Sequence, residues 1–251
     1  MDLGLRGKRA VVTGASRGIG RAIAFGLADE GADVSICARG IEALDETARE
    51  IAARGVRVHA AACDVGDPEA LGGFLDDGRA ALGGVDILVN NASGFGGGND
   101  DESWRVGFSV DVMAAVRASR QVAGWMEAAG GGCIVHLAST AALEAGAPPA
   151  YSAAKAALIS FSKNQALTLV PRRIRVNCVA PGSIDFPGGV WDRIRTTSPA
   201  QYEAIRSTIP FGRLGTPEEV AAAVVFLASP RAGWVAGVCL PVDGVQHKGN
   251  L

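Results

Sequence analysis

The sequence predicts an α/β fold: one doubly wound domain, a parallel seven-stranded sheet with helices on both faces. Three observations predict it. Short apolar, β-branched runs alternate with longer Ala-rich segments of helical spacing, the pattern of a parallel sheet covered on both sides. The length, 251 residues with 48% hydrophobic and 20% charged, suits a single domain with a large core. No repeat or linker divides the chain, so residues 1–251 are read as one unit.

The first strand is Ala10–Thr13, because Ala10, Val11 and Val12 run straight into a glycine-rich turn. A helix follows over Arg21–Glu30, then the strand Asp33–Ala38, the helix Ile41–Arg54 and the strand Val56–Ala62. Further strands are predicted at Ile87–Asn90, Cys133–Ala138, Arg173–Val179 and Val238–Pro241, with helices over Ala153–Val170 and Glu218–Leu227. The stretch Pro181–Pro210 breaks the alternation with Pro, Gly and aromatic residues. A long connection beyond a strand end is a natural place for a substrate lid, expected at about 182–210.

A net charge of −2 without long runs of one sign leaves no electrostatic footprint for nucleic acid. The first ten residues lack the apolar stretch of a signal peptide. No later segment reaches the length of a membrane span uninterrupted, so the expected location is the cytoplasm. Cys37, Cys63, Cys133, Cys178 and Cys239 form no Cys-x-x-Cys pair and read as small buried apolar side chains. His59, His136 and His247 have no metal-ligand spacing, so no metal is expected.

The turn after the first strand reads TGASRGIG, Thr13 to Gly20. Glycines between a strand and a helix let the backbone turn sharply and approach a pyrophosphate held at the helix N-terminus. Gly14, Gly18 and Gly20 are spaced Gly-x-x-x-Gly-x-Gly. Their place after a strand and before a helix points to a dinucleotide-binding Rossmann fold. At the end of the second strand, where an acid would bond the ribose 2′-hydroxyl of NAD, stands Ala38, followed by Arg39. Arg39 and Arg17 suit a 2′-phosphate, which favours NADP (NADPH) over NAD. Two solvated surface arginines are the alternative reading.

The second informative stretch is YSAAK, Tyr151 to Lys155. Positions i and i+4 share a helix face. An ammonium beside a phenol favours the phenolate, so such a tyrosine can exchange a proton with a carbonyl or alcohol oxygen. Ser139 ends the strand CIVHLAS and could hold the same oxygen.

With these motifs on one chain, the sequence resembles the short-chain dehydrogenase/reductase family over nearly its full length. The 3-oxoacyl-[acyl-carrier-protein] reductase branch is the nearest broad likeness. The motifs stand in the family's order: TGASRGIG, CDV at Cys63–Val65, NNAS at Asn90–Ser93, Ser139, YSAAK, and NCVAPG at Asn177–Gly182. The resemblance implies that Ser16, Arg17 and Ile19 join the three glycines at the cofactor and that Asp64 and Val65 contact the adenine. It places Asn90 and Ala92 along the cofactor channel, and Pro181, Gly182 and Ile184 near the nicotinamide. Tyr151 is then the general acid/base, Lys155 lowers its pKa and bonds the nicotinamide ribose, and Ser139 positions the substrate oxygen. A homotetramer or homodimer is the family's usual assembly. The expected activity is NADP-dependent hydride transfer between nicotinamide and a carbonyl or secondary alcohol, with a 3-oxoacyl thioester as one candidate.

Four positions depart from the family pattern. Asp111 stands where an asparagine usually holds a water of the proton relay. Ser93 replaces a glycine, Phe186 replaces a threonine that helps hold the carboxamide, and Val245 replaces the second glycine after VDG. A carboxylate near Lys155 is expected to hold the ammonium in its charged form. The competing reading is a cofactor-binding regulatory protein of the same fold with weak turnover, favoured only by Asp111 and Phe186. Phe186 and Trp191 line an apolar pocket or simply pack.

Overall fold

The computed structural model describes residues 2–249. Met1, Asn250 and Leu251 lie outside them. Seven strands form one sheet: β1 (Arg9–Thr13), β2 (Asp33–Ala38), β3 (Val58–Ala62), β4 (Ile87–Asn90), β5 (Gly132–Leu137), β6 (Ile174–Pro181) and β7 (Cys239–Val242). Every pairing is parallel and the order is β3-β2-β1-β4-β5-β6-β7. The chain winds outward from β1 to β3, then crosses back to place β4 on the other side of β1. That reversal opens a crevice at the carboxyl ends of β1 and β4, the place where such sheets bind ligands.

Helices α1 (Gly18–Asp29), α2 (Ile41–Ala52), α3 (Pro68–Leu82), α4 (Asp101–Val106), α5 (Ala114–Ala128), α6 (Pro149–Leu169), α7 (Val190–Thr197), α8 (Pro199–Thr208) and α9 (Pro217–Ala228) complete the fold. On one face of the sheet Ile23 and Leu27 of α1 pack in one core with Val220 and Val224 of α9. On the other face Leu71 and Leu75 of α3 pack with Val122 and Met126 of α5 and Leu169 of α6. Central strands are buried on both faces, which is why β1 and β4 read as apolar runs, Ala10–Val12 and Ile87–Val89. Among the described residues no helix is long and apolar enough to cross a membrane.

The structure moves two helix starts that matter for the site. The first helix begins at Gly18 instead of Arg21, inside the glycine turn, and α6 begins at Pro149 instead of Ala153. Glycine and proline read as breakers in sequence, but proline suits the first helical position, where its missing N–H has no partner to lose. The stretch Pro181–Pro210 carries α7 and α8 and is not a plain loop. Between α4 and α5 the helix widens into a π-helical stretch, Gly107–Met113. Such insertions re-aim side chains and recur at functional sites, and this one carries Asp111.

Candidate active site

Parallel strands deliver Thr13, Ala38, Asn90, Leu137 and Pro181 to one edge of the sheet. At that edge Gly14 and Gly18 adopt φ of +69° and +56°, the left-handed region that favours glycine. A Cβ on Gly20 would collide with the Gly14 carbonyl and the Asn91 amide, and one on Gly14 would sit 2.8 Å from Ala92 Cα. Asn91 clamps the turn: its Nδ2 donates to the carbonyls of Thr13 and Gly14, both at 2.9 Å. Thr13 Oγ1 accepts the backbone N–H groups of Asn91 and Ala92 at 3.0 and 3.2 Å. The first turn of α1, with Ile19, has no side-chain cap and no acid. Its N–H groups are left for an anion, so the loop fits a pyrophosphate.

Arg39 is exposed just past β2, and Asp64 is exposed past β3, where its Oδ1 accepts the Gly66 N–H at 2.9 Å. Val65 is buried. Arg17 is exposed in the glycine loop, and its Nη1 donates to the Gly188 carbonyl at 3.0 Å. Ser16 is half-buried in the same turn. The Phe186 ring lies on the glycine loop, so close that a Cβ on Gly18 would run into it. An aromatic side chain offers the carboxamide no hydrogen bond of the kind a threonine hydroxyl gives. Pro181 ends β6, the Gly182 N–H donates to Val242 at 3.0 Å, and Ile184 is buried and bridges to Gly215. Gln246 pins this turn, accepting the Ser183 N–H at 2.7 Å and donating to Ser183 Oγ at 3.0 Å. Val245 takes φ +65°, which accounts for glycine being the usual residue there.

Tyr151 stands half-buried in the first turn of α6 and Lys155 one turn later, 2% exposed. The ammonium Nζ lies 5.7 Å from the Tyr151 ring centroid. It donates to the Leu137 carbonyl at 2.8 Å, two residues before Ser139, which docks α6 on the end of β5. Ser139 Oγ accepts the Ala141 N–H at 3.2 Å, leaving its own proton free to donate. Asp111 is 2% exposed. Its Oδ1 lies 2.8 Å from Lys155 Nζ, and its Oδ2 accepts the Gly94 N–H at 2.9 Å. The Oδ1 contact is an ion pair by distance, but its angle is outside hydrogen-bond geometry. Burial acts to lower the Lys155 pKa, but the charge of Asp111, then Tyr151, outweighs it and the net shift is upward.

The sequence model of the family described as Enoyl-(Acyl carrier protein) reductase matches residues 14–245. The chain belongs to the short-chain dehydrogenase/reductase family, a family of oxidoreductases. L-sorbose reductase from Gluconobacter frateurii, solved with NADPH and L-sorbose, is 40% identical with a TM-score of 0.91, covering 99% of this chain and 100% of that one. A 7 alpha-hydroxysteroid dehydrogenase solved with NADH and 7-oxo glycochenodeoxycholic acid is 35% identical with a TM-score of 0.91, covering 97% and 96%. The 3-oxoacyl-[acyl-carrier-protein] reductase of Escherichia coli is 38% identical over 251 residues, 98% of this chain and 99% of the relative.

In this short-chain dehydrogenase/reductase the Asn90 amide is spent inside the protein. Its Nδ2 donates to Ser119 Oγ at 3.3 Å and lies 3.2 Å from His136 Nδ1, while His136 Nε2 lies 3.1 Å from Gln165 Oε1. The amide donor and the Gln165 acceptor fix a neutral ring protonated on Nε2. Burial foremost, with the charge of Lys155 and against the Gln165 bond, pushes the His136 pKa down to about 4. An unfolded histidine takes its proton near 6.5. Between those values the unfolded chain binds the extra proton, so stability present above pH 6.5 is lost as the pH falls toward 4, by about 3 kcal/mol. Urea melts at pH 7 and pH 4.5 check this: His136→Gln should flatten the pH dependence, and an unchanged slope would contradict it.

Proposed function

We propose that the chain is an NADPH-dependent carbonyl reductase, or the secondary-alcohol dehydrogenase of the reverse direction. The observation that supports the reading is Tyr151 beside Lys155 on α6, with Lys155 bonded to the Leu137 carbonyl two residues before Ser139, at the sheet edge that holds the glycine cradle. When bound, the nicotinamide supplies or accepts the hydride. Ser139 holds the substrate oxygen through its free hydroxyl proton. Tyr151 gives its phenolic proton to that oxygen in reduction and takes it back in oxidation. Lys155 stays an ammonium, held so by Asp111, and faces the tyrosine that becomes anionic.

Gly14, Ser16, Gly18, Ile19 and Gly20 would hold the pyrophosphate, Asp64 and Val65 the adenine, and Ala92, Pro181, Gly182 and Ile184 the nicotinamide end. Arg39 is exposed at the end of β2, where a 2′-phosphate would lie. Arg17, in the glycine loop, would be its second cation, with Nη1 on the Gly188 carbonyl. Replacing Arg39 with Asp should weaken NADPH binding by roughly 1.5–3 kcal/mol, the worth of a charge-assisted hydrogen bond. Fluorescence titrations check this, and a wild type that binds NADH more tightly than NADPH would contradict it.

The segment 182–210 is read as the substrate lid. Exposed apolar side chains, Trp234 (101%), Leu167 (71%) and Phe226 (41%), support self-association as a dimer or tetramer. Phe186 over the glycine loop favours a second reading, a regulatory cofactor-binding protein with weak turnover. A panel of ketones and 3-oxoacyl thioesters with each cofactor separates the two: saturable NADPH oxidation supports the reductase, and binding without turnover supports the second reading.

A further inference from the structure

Two of the four departures from the family pattern hold neighbouring residues of one loop. The loop after β4 reads NNASGFGGGND, and Phe95 sits in it at φ +48°. A bulky side chain is uncommon in that region and persists only where its surroundings fix it. Here they do. The Phe95 N–H donates to Ser93 Oγ at 3.2 Å, and the preceding Gly94 N–H donates to Asp111 Oδ2 at 2.9 Å. Gly94 packs against Val106, and a Cβ on Gly96 would collide with the Ser103 carbonyl. The Gly98 N–H donates to Ser103 Oγ at 3.2 Å. The loop is thus tied to the helix in front of it at three points.

The Phe95 ring lies over the ring of Tyr151, with centroids 5.1 Å apart and planes inclined by 16°. It is 56% exposed, so one side is spent on the tyrosine and the rest faces outward. A group attached to a carbonyl carbon whose oxygen meets the phenol would find this ring beside it. An aromatic face rewards a flat or C–H-rich surface, whereas a flexible chain pays for its ordering.

We propose that Phe95 determines specificity for ring-bearing ketones, cyclic or aryl, and that Ser93 and Asp111 are positioning residues that hold it over Tyr151. The inference rests on the reading of Tyr151 as the acid. The usual glycine at position 93 would leave the Phe95 N–H without this acceptor. An asparagine at position 111 has one acceptor atom where two donors, Lys155 Nζ and the Gly94 N–H, face the side chain. Both departures therefore serve the same loop.

The test compares kcat and KM of the full-length protein for cyclohexanone and 2-hexanone, six carbons each, with NADPH. Wild type should favour cyclohexanone in kcat/KM. Phe95→Ala should lower that preference about three- to tenfold, through KM. Ser93→Gly should shift it the same way by less, and Phe95→Tyr should keep it. A wild type without the preference or inert toward both ketones, or a Phe95→Ala ratio within about twofold of wild type, overturns the proposal. Tyr151→Phe, assayed alongside, separates the two failures: turnover surviving that change removes the acid assignment, whereas turnover lost with an unmoved Phe95→Ala ratio removes only the role of Phe95.

Discussion

Tyr151→Phe should lower turnover by about two orders of magnitude or more while NADPH binding stays near normal. The change keeps the ring, and with it the Phe95 stack at 5.1 Å and the Lys155 contact at 5.7 Å. It removes the hydroxyl that carries the transferable proton. The pairing of lost turnover with retained binding is the informative part, because a misfolded variant would lose both. Stopped-flow turnover and equilibrium NADPH titration measure the two separately. Turnover that survives would take Tyr151 out of the mechanism.

Asp111→Asn should destabilise the protein by about 3–5 kcal/mol, since it leaves the Lys155 ammonium buried without its counter-charge. The pair is closed from water, with the Lys155 and Asp111 side chains 3% and 0% exposed, so solvent screens it little. The raised Lys155 pKa sets the pH range. Stability from the pair is full below the ordinary lysine value of 10.5 and is lost only as the pH rises through the higher folded value. Urea melts anywhere between pH 7 and 9 therefore see the whole loss. The variant should also move the pH–rate profile for alcohol oxidation to lower pH, because the cation facing Tyr151 is no longer compensated. A loss under about 1 kcal/mol with superimposable profiles would mean that the pair neither supports the fold nor couples to the proton transfer.

Much of the fold could be read directly because its signals are local. The apolar runs of β1 and β4 are those of strands buried on both faces. Helix starts at Gly18 and Pro149 were harder, because residues that break a helix interior also begin helices. The helices at Val190–Thr197 and Pro199–Thr208 were hidden by flanking Gly and Pro. At the site, YSAAK places Tyr151 and Lys155 by helical spacing alone. Asn91, Phe95 and Gln246 carry no such signal, since their partners Thr13, Tyr151 and Ser183 lie 78, 56 and 63 positions away in sequence. The doubled asparagine of NNAS was the one available hint, with Asn90 turned inward and Asn91 turned to the glycine loop. The Asp111–Gly94 bond could not be read either, because it depends on the π-helical stretch that re-aims Asp111.

The proposed reaction is hydride transfer between nicotinamide and a carbonyl carbon in this site. The measurement that tests it most directly uses NADPH carrying deuterium at its transferable position, with a ketone that wild type reduces in the panel assay. Mass spectrometry of the product alcohol reads the label. Deuterium is expected on the carbinol carbon with wild type, and about a hundredfold less labelled alcohol, at equal enzyme and time, with Tyr151→Phe. Alcohol formed without the label, or labelled equally fast by both proteins, would contradict it.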